Sequence, residues 1–135
     1  MPKVRGPFEV KLSPLASSEV AKDAGVGRMS LEKQFHGALE GESRGEMLGV
    51  RSADQKSGGY VAMERFEGAL DGRRGAFHLQ HGSFMDAGKP EQSIRVVPGS
   101  GAGELAGLRG SMVVELGAKG EHVYVFEYEL IEPSS

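Results

Sequence analysis

Phe35-His36-Gly37-Ala38-Leu39-Glu40-Gly41 recurs in the chain as Phe66-Glu67-Gly68-Ala69-Leu70-Asp71-Gly72, and each copy is followed by a further glycine, Gly45 and Gly75. A weaker echo, Leu105-Ala106-Gly107-Leu108-Arg109-Gly110, leads into another apolar segment. Each full copy ends a row of alternating residues, the mark of a strand whose successive side chains point to opposite faces. An acidic residue followed by glycine supplies the positive φ of a tight turn, so each copy predicts a strand, a turn and a returning strand. Gly37 and Gly68 fall mid-strand in this reading, where glycine marks a bend, a bulge or close packing. Repeated hairpins with bending glycines predict a sheet that curls and closes on itself, removing its edges.

The same period extends outward from the repeat. Phe8, Val10 and Leu12 form one row, Met29 through Leu39 a second, Tyr60 through Leu70 a third, Gly75 through His81 a fourth and His122 through Leu130 the last. Shorter candidates lie at 46–51, 93–97 and 112–116. Helix is confined to 18–24, opened by Ser18 and closed by Gly25, and to one turn around 103–108. The expected class is all-β: a single closed antiparallel up-and-down β-barrel of about eight strands, with little helix, forming one domain over 1–135.

Composition narrows the function classes. A length of 135 residues suits one core, and 39% hydrophobic with 26% charged residues suits a folded chain. The net charge of −3 offers no general attraction to nucleic acid or anionic lipid. Absence of Cys excludes disulfides, thiolate catalysis and Cys-built metal sites. Met1-Pro2-Lys3-Val4-Arg5 lacks a charged-then-apolar signal, and no apolar run approaches the ~18 residues of a membrane helix, so a cytoplasmic location without a membrane partner is expected.

Aligning the two copies places Lys33 and Glu64 at equivalent positions, each two residues before the phenylalanine and on its apolar face. A hairpin turning about Gly72-Arg73 would set Glu64 opposite His81, ~5 Å away. Burial favours the neutral form of a carboxyl group and a neighbouring cation favours the charged form; such opposed pulls produce tuned acids and bases. The same groups equally suit an internal ion pair that fixes strand register. His122, Tyr124 and Tyr128 share one face of the last strand with Phe126 and, pointing inward, add polar groups to the lumen or serve as core aromatics with satisfied hydroxyls. Apolar residues on the reverse faces, Val61, Met63, Val123 and Val125 among them, predict an exterior covered by a loop, a helix or a second subunit.

Other chemistries find less support. His78 and His81 are three apart and face opposite sides of a strand, and His36 falls on a polar face, so His81, His122 and Glu64 are the one conceivable ligand set and no metal is expected. Pro98-Gly99-Ser100-Gly101-Ala102-Gly103-Glu104 lacks the spacing and the following Lys-Ser/Thr of a phosphate loop and reads as a connection. Ser83 and Ser100 lack a nucleophile-elbow context, and no tandem stacking platform for nucleic acid is present.

The motifs Lys33-x-Phe35-x-Gly37-x-Leu39-x-Gly41, Gly59-Tyr60-Val61-Ala62-x-Glu64, Gly68-x-Leu70-x-Gly72-Arg73-x-Gly75-x-Phe77-x-Leu79-Gln80-His81, Val97-Pro98-Gly99-Ser100-Gly101-x-Gly103-Glu104-Leu105 and His122-x-Tyr124 together resemble the bacterial domain of unknown function family 3224. The resemblance spans roughly 6–130; Ala102 stands where it leads one to expect Thr. It implies an eight-stranded barrel like that of allene oxide cyclase, with a ligand-sized interior, and implies no activity. No allene oxide cyclase motif is matched residue by residue, so none of its catalytic residues is carried over. The leading expectation is a small apolar molecule bound in the lumen without a cofactor, contacted by Lys33, Tyr60, His122, Tyr124 and Tyr128. The alternatives are an isomerase or cyclase with Glu64 as acid/base tuned by His81, and a filled barrel used for homo-oligomer association.

Overall fold

Asp71 and Gly72 take φ of 48° and 82°, the left-handed pair of a two-residue hairpin turn whose twist matches that of its strands. This turn closes Leu70 onto Arg73, so Phe66 lies opposite Phe77, Glu64 opposite Leu79 and Ala62 opposite His81. The register is therefore two residues away from the one expected for a turn about Gly72-Arg73, and His81 is diagonal to Glu64 rather than directly across from it. The first copy behaves differently again. Its reversal falls at His36-Gly37-Ala38, with Gly37 at φ 101°, and Glu40 and Gly41 already belong to the returning strand, where Gly41 pairs with Phe35. The reason is long-range: the Tyr124 hydroxyl donates to the His36 carbonyl (2.7 Å) and accepts from the Leu39 amide (3.1 Å), fastening that corner.

The computed structural model describes residues 1–131, so 132–135 of the expected domain lie outside the described residues. The chain runs β1 (Lys3–Leu15), α1 (Glu19–Asp23), β2 (Gly27–Phe35), β3 (Leu39–Arg51), β4 (Gly58–Leu70), β5 (Arg73–Asp86), β6 (Lys89–Val96), β7 (Ala102–Gly103), β8 (Leu108–Leu116) and β9 (His122–Leu130). Each long strand pairs antiparallel with its sequence neighbours, and β9 returns to β1, closing an eight-stranded up-and-down barrel to which the two-residue β7 is added. The helix is where the sequence places it, with the Ser18 hydroxyl accepting from the Ala21 amide as N-cap. No helix among the described residues is long and apolar enough to cross a membrane.

The repeat's glycines meet across the sheet. Gly41 pairs with Gly68, Gly68 with Gly75 and Gly75 with Gly103. A Cβ at Gly68 would stand 2.1 Å from the Glu40 carbonyl oxygen, so neighbouring backbone occupies the space of a side chain and the sheet bends sharply there. The base so formed is filled. Phe8, Phe35, Phe66, Phe77, Phe126 and Tyr128 run ring against ring at centroid spacings of 4.9–5.9 Å, with Leu39, Leu70, Leu105 and Leu108 packed around them. Adjacent aromatic rings contribute ~0.5–1.5 kcal/mol per pair beyond their buried area.

The opposite end is built differently because strand lengths are unequal. β3, β4 and β5 run 13, 13 and 14 residues, whereas β8 and β9 run nine each. β1 pairs with β9 only as far as Phe8, and the β6–β8 ladder is confined to Ile94 and Arg95, with the Gln92 side chain accepting from the Val114 amide beyond it. Beyond those points the long strands continue as a curved wall with no strand facing them, which leaves a mouth. On the exterior of this wall Leu48, Val61, Met63 and Phe84 stand exposed.

Candidate functional site

At the boundary between filled base and open mouth, four strands bring polar side chains to the inner face. β2 supplies Lys33, β3 Ser43, β4 Glu64 and Tyr60, and β5 His81. Lys33 pairs in register with Ser43, while Glu64 pairs with Gly45. With no side chain at Gly45, the lysine reaches across β3, and its Nζ lies 2.7 Å from Glu64 Oε1. Ser43 donates to the other carboxylate oxygen. The trio is deeply buried, Glu64 at 1% and Lys33 at 7% exposure, and the ammonium also lies over the rings of Phe8 and Phe35, 5.6 and 6.0 Å from their centroids. Both oxygens of the carboxylate are thus committed.

One rung toward the mouth, the Tyr60 hydroxyl shares a 2.9 Å hydrogen bond with His81 Nε2, the two rings meeting edge to face at 5.1 Å. Burial, reinforced by the charge of Lys33 and opposed by Glu64, pushes the His81 imidazole down to about 4. Burial also raises Tyr60, with Glu64 adding to the rise. Both groups are neutral at neutral pH. Above them opens a cavity of ≈ 620 Å³ whose wall includes Leu12, Met29, Met47, Tyr60, Ser83 and Met85. Its size falls within the ~300–1,000 Å³ of small-molecule sites, and methionines give such a wall adaptable shape. A larger hollow of ≈ 970 Å³ runs along the outer faces of β3 to β6, past Arg44, Val61, Met63, Arg65 and Arg95. Those five side chains are exposed on the outer face; the hollow also borders Glu64 and His81, whose polar ends meet Lys33, Ser43 and Tyr60 on the inner face.

The structure brings together Lys33, Glu64, His81 and Tyr60 and separates the remaining expected contacts. Tyr124 is spent on the backbone of the β2–β3 corner, and burial raises it. The Tyr128 hydroxyl donates to the Asp71 carboxylate, and burial followed by that carboxylate pushes the phenol up to about 12. His122 packs its ring on Phe8 at 5.4 Å, on the side of the base. His36 bonds to Glu9 (2.8 Å) on the exterior. Among the described residues no three metal-ligating side chains converge. Ser43 and Ser83 were not legible as site residues: β3 reads from the sequence as a short segment at 46–51, which omits Ser43, and Ser83 lies beyond the row that ends at His81.

A family profile described as "Protein of unknown function (DUF3224)" matches residues 4–128. The chain belongs to the DUF3224 family. A crystal structure of a DUF3224 protein of unknown function from Shewanella oneidensis MR-1 is 46% identical, covers 99% of each chain and superposes with a TM-score of 0.89. No curated protein matches. DUF3224 membership agrees with the family resemblance carried by the motifs, and the closed barrel is consistent with the allene oxide cyclase-like fold which that resemblance implied. The family description assigns no reaction, so the functional reading of this DUF3224 barrel rests on its side chains.

Proposed function

We propose that the mouth of the barrel binds a small, largely apolar molecule, held against Tyr60 and Ser83 with His81 behind them. The observation that carries this reading is an apolar cavity of ≈ 620 Å³ set directly above buried, convergent polar groups. Within this reading the charged trio and the contact set have separate duties. Lys33, Ser43 and Glu64 satisfy one another, so they fix the register of β2, β3 and β4 and hold the floor. Tyr60 and Ser83, which line the cavity, are the groups that meet a ligand, and His81 supports Tyr60 from behind. The acid/base role for Glu64 is the weaker reading, because the carboxylate has both oxygens engaged, is 1% exposed and does not line the mouth cavity.

The test is titration with Nile red, a neutral dye whose emission rises in apolar surroundings. Saturable binding of one dye per chain, lost in Ser83→Trp, which fills the mouth, and kept in Val61→Asp, which spoils the exterior apolar face, supports the proposal. Loss in Val61→Asp with retention in Ser83→Trp places the dye on the exterior and sinks it.

A further inference from the structure

We infer that the end of the bound molecule that reaches the floor of the mouth is uncharged and carries an oxygen, as in a long-chain alcohol, ketone or ester, and that carboxylates and amines are refused. This rests on the mouth reading and concerns the chemistry of its occupant. The inner face at the floor holds one cation and one anion, Lys33 and Glu64, which cancel at 2.7 Å and are both buried. The second carboxylate oxygen accepts from Ser43 and the whole group is 1% exposed, so the carboxylate is not presented to an incoming ammonium. The ammonium is sandwiched between the carboxylate and the rings of Phe8 and Phe35, so it is not presented to an anion. The other polar groups there, Tyr60, His81 and Ser83, carry no charge, and burial keeps the imidazole unprotonated.

A charged head group entering such a floor loses its water and finds no counter-ion, a penalty of several kcal/mol. An uncharged oxygen meets the hydroxyls of Tyr60 and Ser83, each of which donates or accepts as its network allows, at little net cost. Arg51 is the cation nearest the opening, and it stands on the exposed rim with its guanidinium donating to Gln55 (3.0 Å). In water its attraction for an anion is small and screened by salt.

The experiment displaces Nile red with four ten-carbon competitors: decan-1-ol, decan-2-one, decanoate and decylamine, at neutral pH and constant salt. The alcohol and ketone are expected to displace the dye at concentrations at least ~10-fold below the two ions, and Tyr60→Phe is expected to weaken both by ~5–10-fold, the factor for one neutral hydrogen bond. Ser83→Ala, a smaller change in the same wall, provides a second reading should Tyr60→Phe disturb folding. Decanoate or decylamine competing as well as the alcohol overturns the inference while leaving the mouth as a binding site. Failure of all four while the dye is held also overturns it. If the dye itself shows no mouth-dependent binding, the mouth reading falls, and the inference with it.

Discussion

Lys33→Met removes the ammonium and keeps most of the stem. Glu64 then faces the interior with only the Ser43 hydroxyl on one oxygen, where the native chain also gives it a cation at 2.7 Å. Breaking a buried pair from one side costs ~3–5 kcal/mol, because the remaining charge is stranded in a medium that solvates it poorly. For a chain of this length that is a fall in Tm of about 15 °C. Removing both charges is a different perturbation: in Lys33→Met/Glu64→Leu no ion is stranded, and the residual defect is Ser43, fully buried with its acceptor gone, at ~1–3 kcal/mol. Adding Ser43→Ala removes that defect as well. The expected order of stability in urea unfolding, read as midpoints at constant m, is wild type close to the triple variant, then the double, then the single. Because the trio is assigned to register and the mouth to binding, the triple variant is also expected to keep its Nile red affinity within about 3-fold, under 1 kcal/mol. A single variant losing less than 1 kcal/mol, or a triple variant no better than the single, refutes the argument that these charges matter through burial and pairing.

Four further outcomes follow from particular contacts. His81 is held down to about 4 against 6.5 in the unfolded chain, so the unfolded state takes up a proton that the folded state refuses; the stability His81 contributes above pH 6.5 is lost as pH falls toward 4, on the order of 2–3 kcal/mol, and His81→Gln removes that part of the wild-type pH profile of urea midpoints. Tyr124→Phe leaves the buried Leu39 amide without its 3.1 Å acceptor and is expected to cost ~1–3 kcal/mol in the same assay, with fastest hydrogen exchange appearing at the β2–β3 corner. Gly68→Ala drives a Cβ to 2.1 Å from the Glu40 carbonyl oxygen and is expected to lose more than ~3 kcal/mol or the folded state altogether, measured by circular dichroism and thermal melting. All three tyrosines are raised above the ordinary phenol value of 10, so at pH 10 absorbance of tyrosinate is lower in the folded chain than in denaturant.

The sequence made the barrel legible and the site half legible. Alternation over Met29 to Leu39 and over Tyr60 to Leu70 marks the inner face correctly, since that property depends on parity alone. It also brings Lys33 and Glu64 into one lumen. Register is another matter. Asp71-Gly72 and Glu40-Gly41 look alike, yet only the first turns, because the reversal before Glu40 is fastened by Tyr124 from the far end of the chain. No local pattern contains that contact. Likewise the final strand's parity shows that Tyr124, Tyr128 and His122 point inward, but not at what height along the barrel. Height depends on the stagger of strands around a closed sheet, which places these three beside the aromatic base.

Reading the inner face rung by rung shows why base and mouth have different character. Across β2 to β5 the paired inner-face residues run, from the base upward, Phe35–Gly41–Gly68–Gly75, Lys33–Ser43–Phe66–Phe77, Leu31–Gly45–Glu64–Leu79 and Met29–Met47–Ala62–His81. Rings fill the lower rungs, the ion pair bridges two rungs diagonally, and small or flexible side chains follow where the enclosing strands β8 and β9 have run out. The wall is thus closed where the residues are bulky and open where they are small. Had the molecule needed only a stable core, a residue larger than Ala62 would extend the plug; at Gly45 none fits, since a Cβ would stand 2.0 Å from the Met63 carbonyl oxygen, and an ion pair that is costly to bury is kept beneath the open end. That combination is uneconomical for a purely structural barrel, because a satisfied ion pair contributes little over apolar packing of the same volume. It is what a binding site requires: a rigid neutral floor, a few fixed hydrogen-bonding groups and an adaptable apolar wall.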